Sequence, residues 1–210
     1  KESTVSDVSN TGSVSGTIKV GGIAGQLYLD SSMNNSINTG NVDGRFEVGR
    51  VIGTASTINE ELSGLENTGS VTLNILEFES GGYRFVGGLV GKASSATVTN
   101  SQNSGSITSD SGQYTGGLIG TGTDLTVQTV SNTAPITGTA DEVGGLIGQL
   151  RGDSTLEDAT NTGNIDIDGS GGAGVIYDMA DETTLSQSYN TGDITVQNDE
   201  ESNGGLVGSM

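Results

Sequence analysis

Short apolar clusters recur along the chain with a period close to 29 residues. In the unit that begins at Asn132 they fall at Ile136, at residues 143–147 with Leu150, and at Leu156, separated by Gly, Asp, Ser and Thr. Apolar clusters of this length between turn residues are typical of short strands, and no segment has a sustained helical period. The pattern predicts about three strands per unit, in units that bury their apolar edges only by stacking on one another.

An Asn-Thr-Gly box, or a near copy, marks each unit, and a Val or Ile follows four residues after its Asn. The steps between successive boxes are 28, 29, 36, 29, 29 and 29 residues. In stacked parallel coils equivalent residues lie above one another, so the Asn amides are predicted to form an internal hydrogen-bonded ladder. The ladder would comprise Asn10, Asn38, Asn67, Asn103, Asn132, Asn161 and Asn190, beside an apolar row of Val14, Val42, Val71, Ile107, Ile136, Ile165 and Ile194. The Gly two positions after each Asn is expected to supply a positive φ, and Ala134 in its place is expected to strain or alter the turn.

A second box, Gly-Gly-Leu-(Val or Ile)-Gly, lies between the Asn boxes. Strict strand alternation there would put apolar side chains on both faces. Either the glycine pair forms a bulge that turns Val86 and Leu89 to the same side, which we prefer, or the outer face is covered and is an interaction surface. Arg50 and Tyr177 replace glycines of this box. Arg50 is expected to point outward and to pair with Glu47 or a neighbouring coil, so that its replacement by Gly would be neutral or stabilising.

These patterns predict an all-β fold: a right-handed parallel β-helix, or β-solenoid, of about seven coils with about 29 residues per repeat. Residues 1–210 would form one elongated domain. The longer third unit carries an insertion around residues 76–82, expected to bulge as a loop from one corner. The chain stops at Met210 about halfway through a unit, which favours a segment of a longer protein.

The amino-acid composition excludes several kinds of site and partner. The chain has 36 Gly, no Trp, no Cys and no His, which excludes disulfides, His or thiolate metal sites and Cys or His catalysis. A net charge of -19 speaks against nucleic acid and anionic membranes as partners. No stretch approaches the about 20 apolar residues that a membrane span needs, so membrane insertion is not expected.

The Gly-Leu-(Val or Ile)-Gly box, preceded by Gly and alternating with Asn-x-Gly turns, resembles the GLUG motif. Four copies match fully, at residues 88–91, 117–120, 145–148 and 205–208; the first is conservative, and the copies containing Arg50 and Tyr177 depart from the pattern. That motif occurs in tandem in bacterial surface proteins, including large adhesins and the N-terminal regions of IgA-specific zinc metallopeptidases. The resemblance covers nearly the whole chain. It implies an exported repeat scaffold rather than a catalytic activity.

Acidic residues are concentrated in the second part of the chain: from Ile136 onward there are 14 Asp and Glu against one basic residue, Arg151. Stacked turns could bring together the oxygen ligands that Ca²⁺ prefers, the candidates being Asp141, Asp166, Asp168 and Glu200. The preferred interpretation is a solvated acidic face that keeps the solenoid soluble. No other cofactor is expected.

Tyr83, Arg84 and Phe85 form the most individual stretch and are residue types favoured at binding hot spots. They are a candidate ligand-contact loop; the preferred alternative is that Tyr83 and Phe85 cap the insertion against the coil. The five tyrosines (Tyr28, Tyr83, Tyr114, Tyr177 and Tyr189) occupy different phases of the repeat and are not expected to form a platform.

The function expected from these observations is non-catalytic: a structural and adhesive repeat segment of an exported bacterial cell-surface protein, located extracellularly or at the cell surface. Its loops would present binding sites for a host or matrix protein or glycan, and its ends could pair with further repeats of the same chain. The alternative is an accessory or spacer domain of a secreted peptidase whose catalytic domain lies outside this segment. An enzyme acting on acidic polysaccharide is disfavoured because the negative charge would repel uronic acid chains.

Overall fold

The computed structural model describes residues 3–73, 83–110, 112–198 and 201–210, and in these ranges it consists of strands and turns without a helix. The predicted insertion loop lies outside the described residues, as does Glu200. In chain order the strands of the first half are β1 (Ser3–Ser6), β2 (Ser9–Asn10), β3 (Val14–Ser15), β4 (Ile18–Gly21), β5 (Ala24–Tyr28), β6 (Ser31–Asn34), β7 (Ile37–Asn38), β8 (Val42–Gly44), β9 (Phe46–Gly49), β10 (Ile52–Ser63), β11 (Glu66–Asn67), β12 (Val71–Leu73), β13 (Phe85–Gly87), β14 (Val90–Asn103) and β15 (Ile107–Ser109). Those of the second half are β16 (Tyr114–Gly116), β17 (Ile119–Thr123), β18 (Thr126–Asn132), β19 (Ile136–Gly138), β20 (Glu142–Gly144), β21 (Ile147–Arg151), β22 (Thr155–Asn161), β23 (Ile165–Ile167), β24 (Gly171–Ala173), β25 (Ile176–Met179), β26 (Thr184–Ser186), β27 (Tyr189–Asn190), β28 (Ile194–Val196) and β29 (Val207–Ser209).

These strands stack as a parallel β-solenoid of about seven turns, about 29 residues apart. One sheet has seven strands in the order β28-β23-β19-β15-β12-β8-β3, a second has six in the order β24-β20-β16-β13-β9-β4, and the third has 16 and forms the longest side of each coil. The register aligns equivalent residues: Ile107 pairs with Ile136, and Ile136 pairs with Ile165. The all-β parallel solenoid of about seven coils is therefore confirmed. Its long side is divided into two or three strands in most coils.

The apolar interior is divided into two clusters. One lies between the six- and seven-stranded sheets and contains Val86 and the row around Ile136. The other is enclosed by the 16-stranded sheet and contains Leu89 and Val90. The chain bends at Gly88 and Leu89, between β13 and β14. Val86 and Leu89 both face inward, as the bulge interpretation required, but they enter different clusters at a bend between two strands.

The Asn box and the glycine box meet between these two clusters. A Cβ added to Gly88 would lie 2.6 Å from the Asn103 side chain, and one added to Gly117 would lie 2.6 Å from that of Asn132. The same contact recurs for Gly145 with Asn161. Glycine is required there because an amide side chain fills the space that a larger residue would need.

The Asn ladder is present at five of its six predicted steps. Asn103 Nδ2 donates to Asn132 Oδ1 at 2.8 Å, and Asn132 Nδ2 donates to Asn161 Oδ1 at 2.9 Å. Equivalent bonds join the pairs Asn10 and Asn38, Asn67 and Asn103, and Asn161 and Asn190. Each of these amides also bonds the residue two positions along its own turn, as Asn103 does with the Gly105 carbonyl. The ladder therefore ties successive coils and fixes each turn at the same time.

The expected role of the turn glycine was wrong. Among the described glycines only Gly64, Gly138 and Gly152 have positive φ. Gly163 and its equivalents are instead packed against the preceding turn, where a Cβ would collide with the backbone carbonyl of Ala134. The distortion expected at Ala134 is also absent, because Ala134 keeps both turn hydrogen bonds to Asn132, at 3.0 Å and 3.3 Å.

The outward orientation predicted for Arg50 was wrong as well. Its side chain is fully buried, and Nη2 donates to the Gly40 carbonyl. Nε and Nη1 have no hydrogen-bond partner among the described residues, and burial lowers the pKa of the guanidinium to about 10. In the part of the chain that the structure describes, no hydrogen bond joins Asn38 to Asn67, the two ladder positions on either side of this arginine. Arg50 thus enters the interior where a glycine normally stands and interrupts the ladder.

Arg50→Gly is expected to stabilise the solenoid. The change removes a buried, incompletely bonded cation and allows the Asn38 to Asn67 bond to form, which together favour folding by about 1–3 kcal/mol. Urea denaturation of both proteins at neutral pH measures the difference. The reciprocal variant Gly117→Arg, in a regular coil, should be destabilised; a lower unfolding midpoint for Arg50→Gly than for the parent would contradict the assignment.

Candidate binding groove

A crease runs along the outside of the solenoid where the six-stranded sheet meets the first part of the long side. The crease forms because the last glycine of the box lets two backbones approach closely. A Cβ on Gly120 would lie 2.7 Å from the Val86 backbone nitrogen, and one on Gly148 would lie 2.9 Å from that of Thr115. Because no side chain separates the two backbones, the flanking side chains form two walls above a floor of glycine. The walls are the candidate functional surface.

The first wall is largely aromatic. Phe85, Tyr114 and Glu142 occupy one rung position on β13, β16 and β20. The Phe85 ring is stacked between those of Tyr83 and Tyr114, with centroids 6.1 Å away on each side. Tyr83 is 69% exposed, whereas Phe85, on which it stacks, is 8% exposed.

The second wall is polar and internally bonded. Lys92, Thr121, Gln149 and Asp178 occupy one rung position on β14, β17, β21 and β25. Thr121 Oγ1 donates to Gln149 Oε1 at 3.3 Å, and Gln149 Nε2 donates to Asp178 Oδ2 at 2.7 Å. Arg151 lies 3.6 Å from the same carboxylate. These side chains are held in place before any ligand arrives.

Two cavities lie along this crease. The first, of about 410 Å³, is lined by Tyr83, Phe85, Lys92, Gln113, Tyr114, Thr121, Thr123, Gln149 and Arg151. The second, of about 380 Å³, is lined by Tyr114, Glu142, Tyr177, Asp178, Glu201, Ser202 and Ser209. Tyr114 borders both, so the cavities form one groove over several coils, which we call the Tyr114 groove.

Tyr177 closes one end of the groove. It replaces the last glycine of its box, and its ring lies over Gly171, where a Cβ would be 2.6 Å from the phenolic oxygen. The hydroxyl donates to Glu201 Oε2 at 2.6 Å. Burial and this hydrogen bond raise the pKa of Tyr177. Burial, followed by the charge of Glu142, raises the pKa of Tyr114 to about 12.

Glu142 is the titratable group of the groove. Burial and then the negative charge of Glu201 raise its pKa from 4.5 to about 7, against the lowering effect of the hydrogen bond from Tyr114. A carboxyl whose pKa is higher in the folded than in the unfolded chain favours folding while it is protonated. That stabilisation is present below about pH 4.5 and is lost as the pH rises through about 7.

Glu142→Gln is expected to reduce the loss of stability between pH 5 and pH 8. Because Glu142 is only half-buried, solvent screening limits its share to the order of 1 kcal/mol. Urea denaturation at both pH values measures the difference, which should shrink in the variant. Asp153→Asn removes an exposed carboxylate as a matched control; equal pH dependence in Glu142→Gln and Asp153→Asn would contradict the assignment.

The sequence-predicted site residues are distributed as follows. Tyr83 and Phe85 belong to the Tyr114 groove, while the Arg84 guanidinium lies 5.7 Å from the centre of the Phe46 ring. Asp166 is exposed on β23, Asp168 is exposed directly after that strand, and burial raises the pKa of Asp141. In the described residues no group of three or more acidic side chains is placed to hold a metal ion. Calcium binding stays a prediction without structural support.

The expectation that the tyrosines form no common surface was wrong. Tyr83, Tyr114 and Tyr177 all line the Tyr114 groove although they come from different phases of the repeat. Thr121, Gln149 and Asp178 were not singled out from the sequence. The sequence does contain a signal for these three residues, because each directly follows the last residue of its glycine box.

Comparison with known families supports the repeat assignment. The model of the GLUG motif matches residues 83–108, which include the box at 87–91 and Asn103. The match is consistent with a GLUG-motif repeat protein, and the β-solenoid fold fits a repeat segment. No curated protein matches the chain significantly.

Proposed function

We propose that the chain is a non-catalytic structural and adhesive segment of an exported bacterial cell-surface protein. The observation that supports it most is the continuous stacking of GLUG-type coils. Their buried Asn ladder and apolar rows make the stack rigid along its axis. Such a stack holds a binding surface at a fixed distance from its point of attachment. The groove offers a place for a host or matrix ligand.

The proposed partners are inferred from the net charge and from the exposure of the terminal coils. A net charge of -19 opposes nucleic acid. The described part of the chain contains no helix long and apolar enough to cross a membrane. At the two ends of the apolar row, Val14 and Ile194 are only partly buried, whereas the next residues inward, Val42 and Ile165, are 1% exposed. Further repeats of the same chain would cover these rows.

Labelling of intact cells tests this proposal. Antibodies raised against the purified chain should bind intact source cells as strongly as permeabilised ones, with an antibody to a cytoplasmic protein as the control. Labelling that requires permeabilisation would contradict surface display. If the same reading frame contains a His-Glu-x-x-His domain, the segment is instead an accessory or spacer of a secreted peptidase.

A further inference from the structure

The lining of the Tyr114 groove lies outside the two apolar clusters of the interior. The fold is held by these clusters and the Asn ladder. At the rung position of Phe85, Tyr114 and Glu142, the sixth coil has Gly171. The aromatic and amide side chains are therefore concentrated in the third to sixth coils rather than repeated along the stack.

The groove combines an exposed ring face with fixed uncharged hydrogen-bonding groups. Tyr83 presents its ring at 69% exposure. Opposite it, Thr121 and Gln149 are 7% and 4% exposed, so both are built into the wall while still lining the cavity. Hydroxyl and amide groups each offer donors and acceptors, which is the pairing that sugar hydroxyls need. An aromatic ring packs well against the C–H face of a pyranose.

The spacing along the groove also suits a sugar chain. Successive coils repeat at about 4.8 Å, close to the advance per residue of an extended pyranose polymer. Equivalent positions such as Thr121 and Gln149 can thus meet successive sugar units in the same way. A peptide adding as a strand would require an open sheet edge, whereas the walls here are sheet faces.

The charged side chains around the groove favour a neutral ligand. The two cations at the groove are already engaged, Lys92 with Glu47 at 4.0 Å and Arg151 with Asp178 at 3.6 Å. The other end carries Glu142 and Glu201, which would repel uronic acids or sulfated sugars.

We infer that the Tyr114 groove binds a neutral, extended oligosaccharide, with about one sugar unit per coil. This inference deepens the proposed adhesive function, on which it rests, by placing the ligand on the face of the solenoid rather than on a loop. Sugar rings would stack on Tyr83 and hydrogen-bond to Thr121, Thr123 and Gln149.

Isothermal titration of the purified 210-residue chain with defined hexasaccharides tests the inference. The probes are cellohexaose, chitohexaose, mannohexaose and xylohexaose, with hexagalacturonate as the anionic comparison. At least one neutral hexamer should bind and hexagalacturonate should not. Tyr83→Ala and Thr123→Glu should each weaken binding by about tenfold or more, equivalent to about 1.4 kcal/mol.

Matched variants outside the groove are the controls. Tyr189→Ala removes a tyrosine that is 55% exposed on β27, and Thr126→Glu adds the same charge at an exposed position of β18. Both should bind as the parent does. The inference is overturned if no neutral hexamer binds at millimolar concentration, if only hexagalacturonate binds, or if groove and control variants behave alike. Surface labelling with no sugar binding would overturn this inference alone, whereas sugar binding by a chain confined inside the cell would overturn only the surface proposal.

Discussion

Ile136→Asp is expected to be among the most damaging single substitutions in the chain. Ile136 is fully buried and pairs with Ile107 and Ile165 in adjacent coils. A carboxylate there would have apolar neighbours in its own coil and in both adjacent coils, and no cation of the described residues belongs to this cluster. The expected cost exceeds about 3 kcal/mol because the charge is unpaired and desolvated. In a chain of this size, that cost corresponds to a fall of about 6–12 °C in the melting temperature.

Thr133→Asp is the matched control for Ile136→Asp. Thr133 lies three residues earlier and is exposed, so the same charge is added without burial. Circular dichroism melting should show a large shift for Ile136→Asp and a small one for Thr133→Asp. Similar shifts for the two variants would mean that added negative charge, rather than burial, governs stability.

The stacking of the coils could be predicted from the sequence because it depends on local repetition. A fixed interval between equivalent Val, Ile and Asn residues permits only one register in a parallel stack. The structure keeps that register across the longer third unit, with Val71 paired to Ile107 and Asn67 to Asn103. Local periodicity survives the insertion because each coil pairs with its neighbours through the same rows.

The contact between the two boxes could not be predicted, because it depends on how one coil bends. Gly117 and Asn132 are separated in sequence, and only the bend after β16 brings the glycine against the amide. The close packing of each turn glycine on the preceding turn was equally hidden, so a positive φ was the natural explanation for it. Without the contact between the boxes, an outward side chain was the natural place for Arg50. Both errors share one physical source: glycine is needed here for space rather than for backbone freedom.

The Tyr114 groove was missed for the same reason. Tyr114 precedes its glycine box and Tyr177 ends one, so their phases differ along the sequence. The close approach of the two backbones at Gly120 and Gly148 brings those phases together on one outer surface. One structural feature, the glycine box, thus creates both the division of the interior and the groove outside it.

Asn132→Ala should be nearly as damaging as a buried charge, although it removes only one amide. Asn132 is fully buried and makes four hydrogen bonds: with Asn103, with Asn161, and with the nitrogen and carbonyl of Ala134. Deleting a partner of a buried polar group costs about 1–3 kcal/mol. The neighbouring amides keep bonds within their own turns, so a total loss of about 2–4 kcal/mol is expected.

Asn10→Ala provides the comparison within the same ladder. Asn10 is only partly buried and its turn bonds are exposed, so water can replace the lost amide and the cost should stay below about 1 kcal/mol. Urea denaturation of the two variants should therefore separate them clearly. If Asn132→Ala were as stable as Asn10→Ala, the ladder would be a consequence of stacking rather than a cause of it, and the apolar rows alone would hold the coils together.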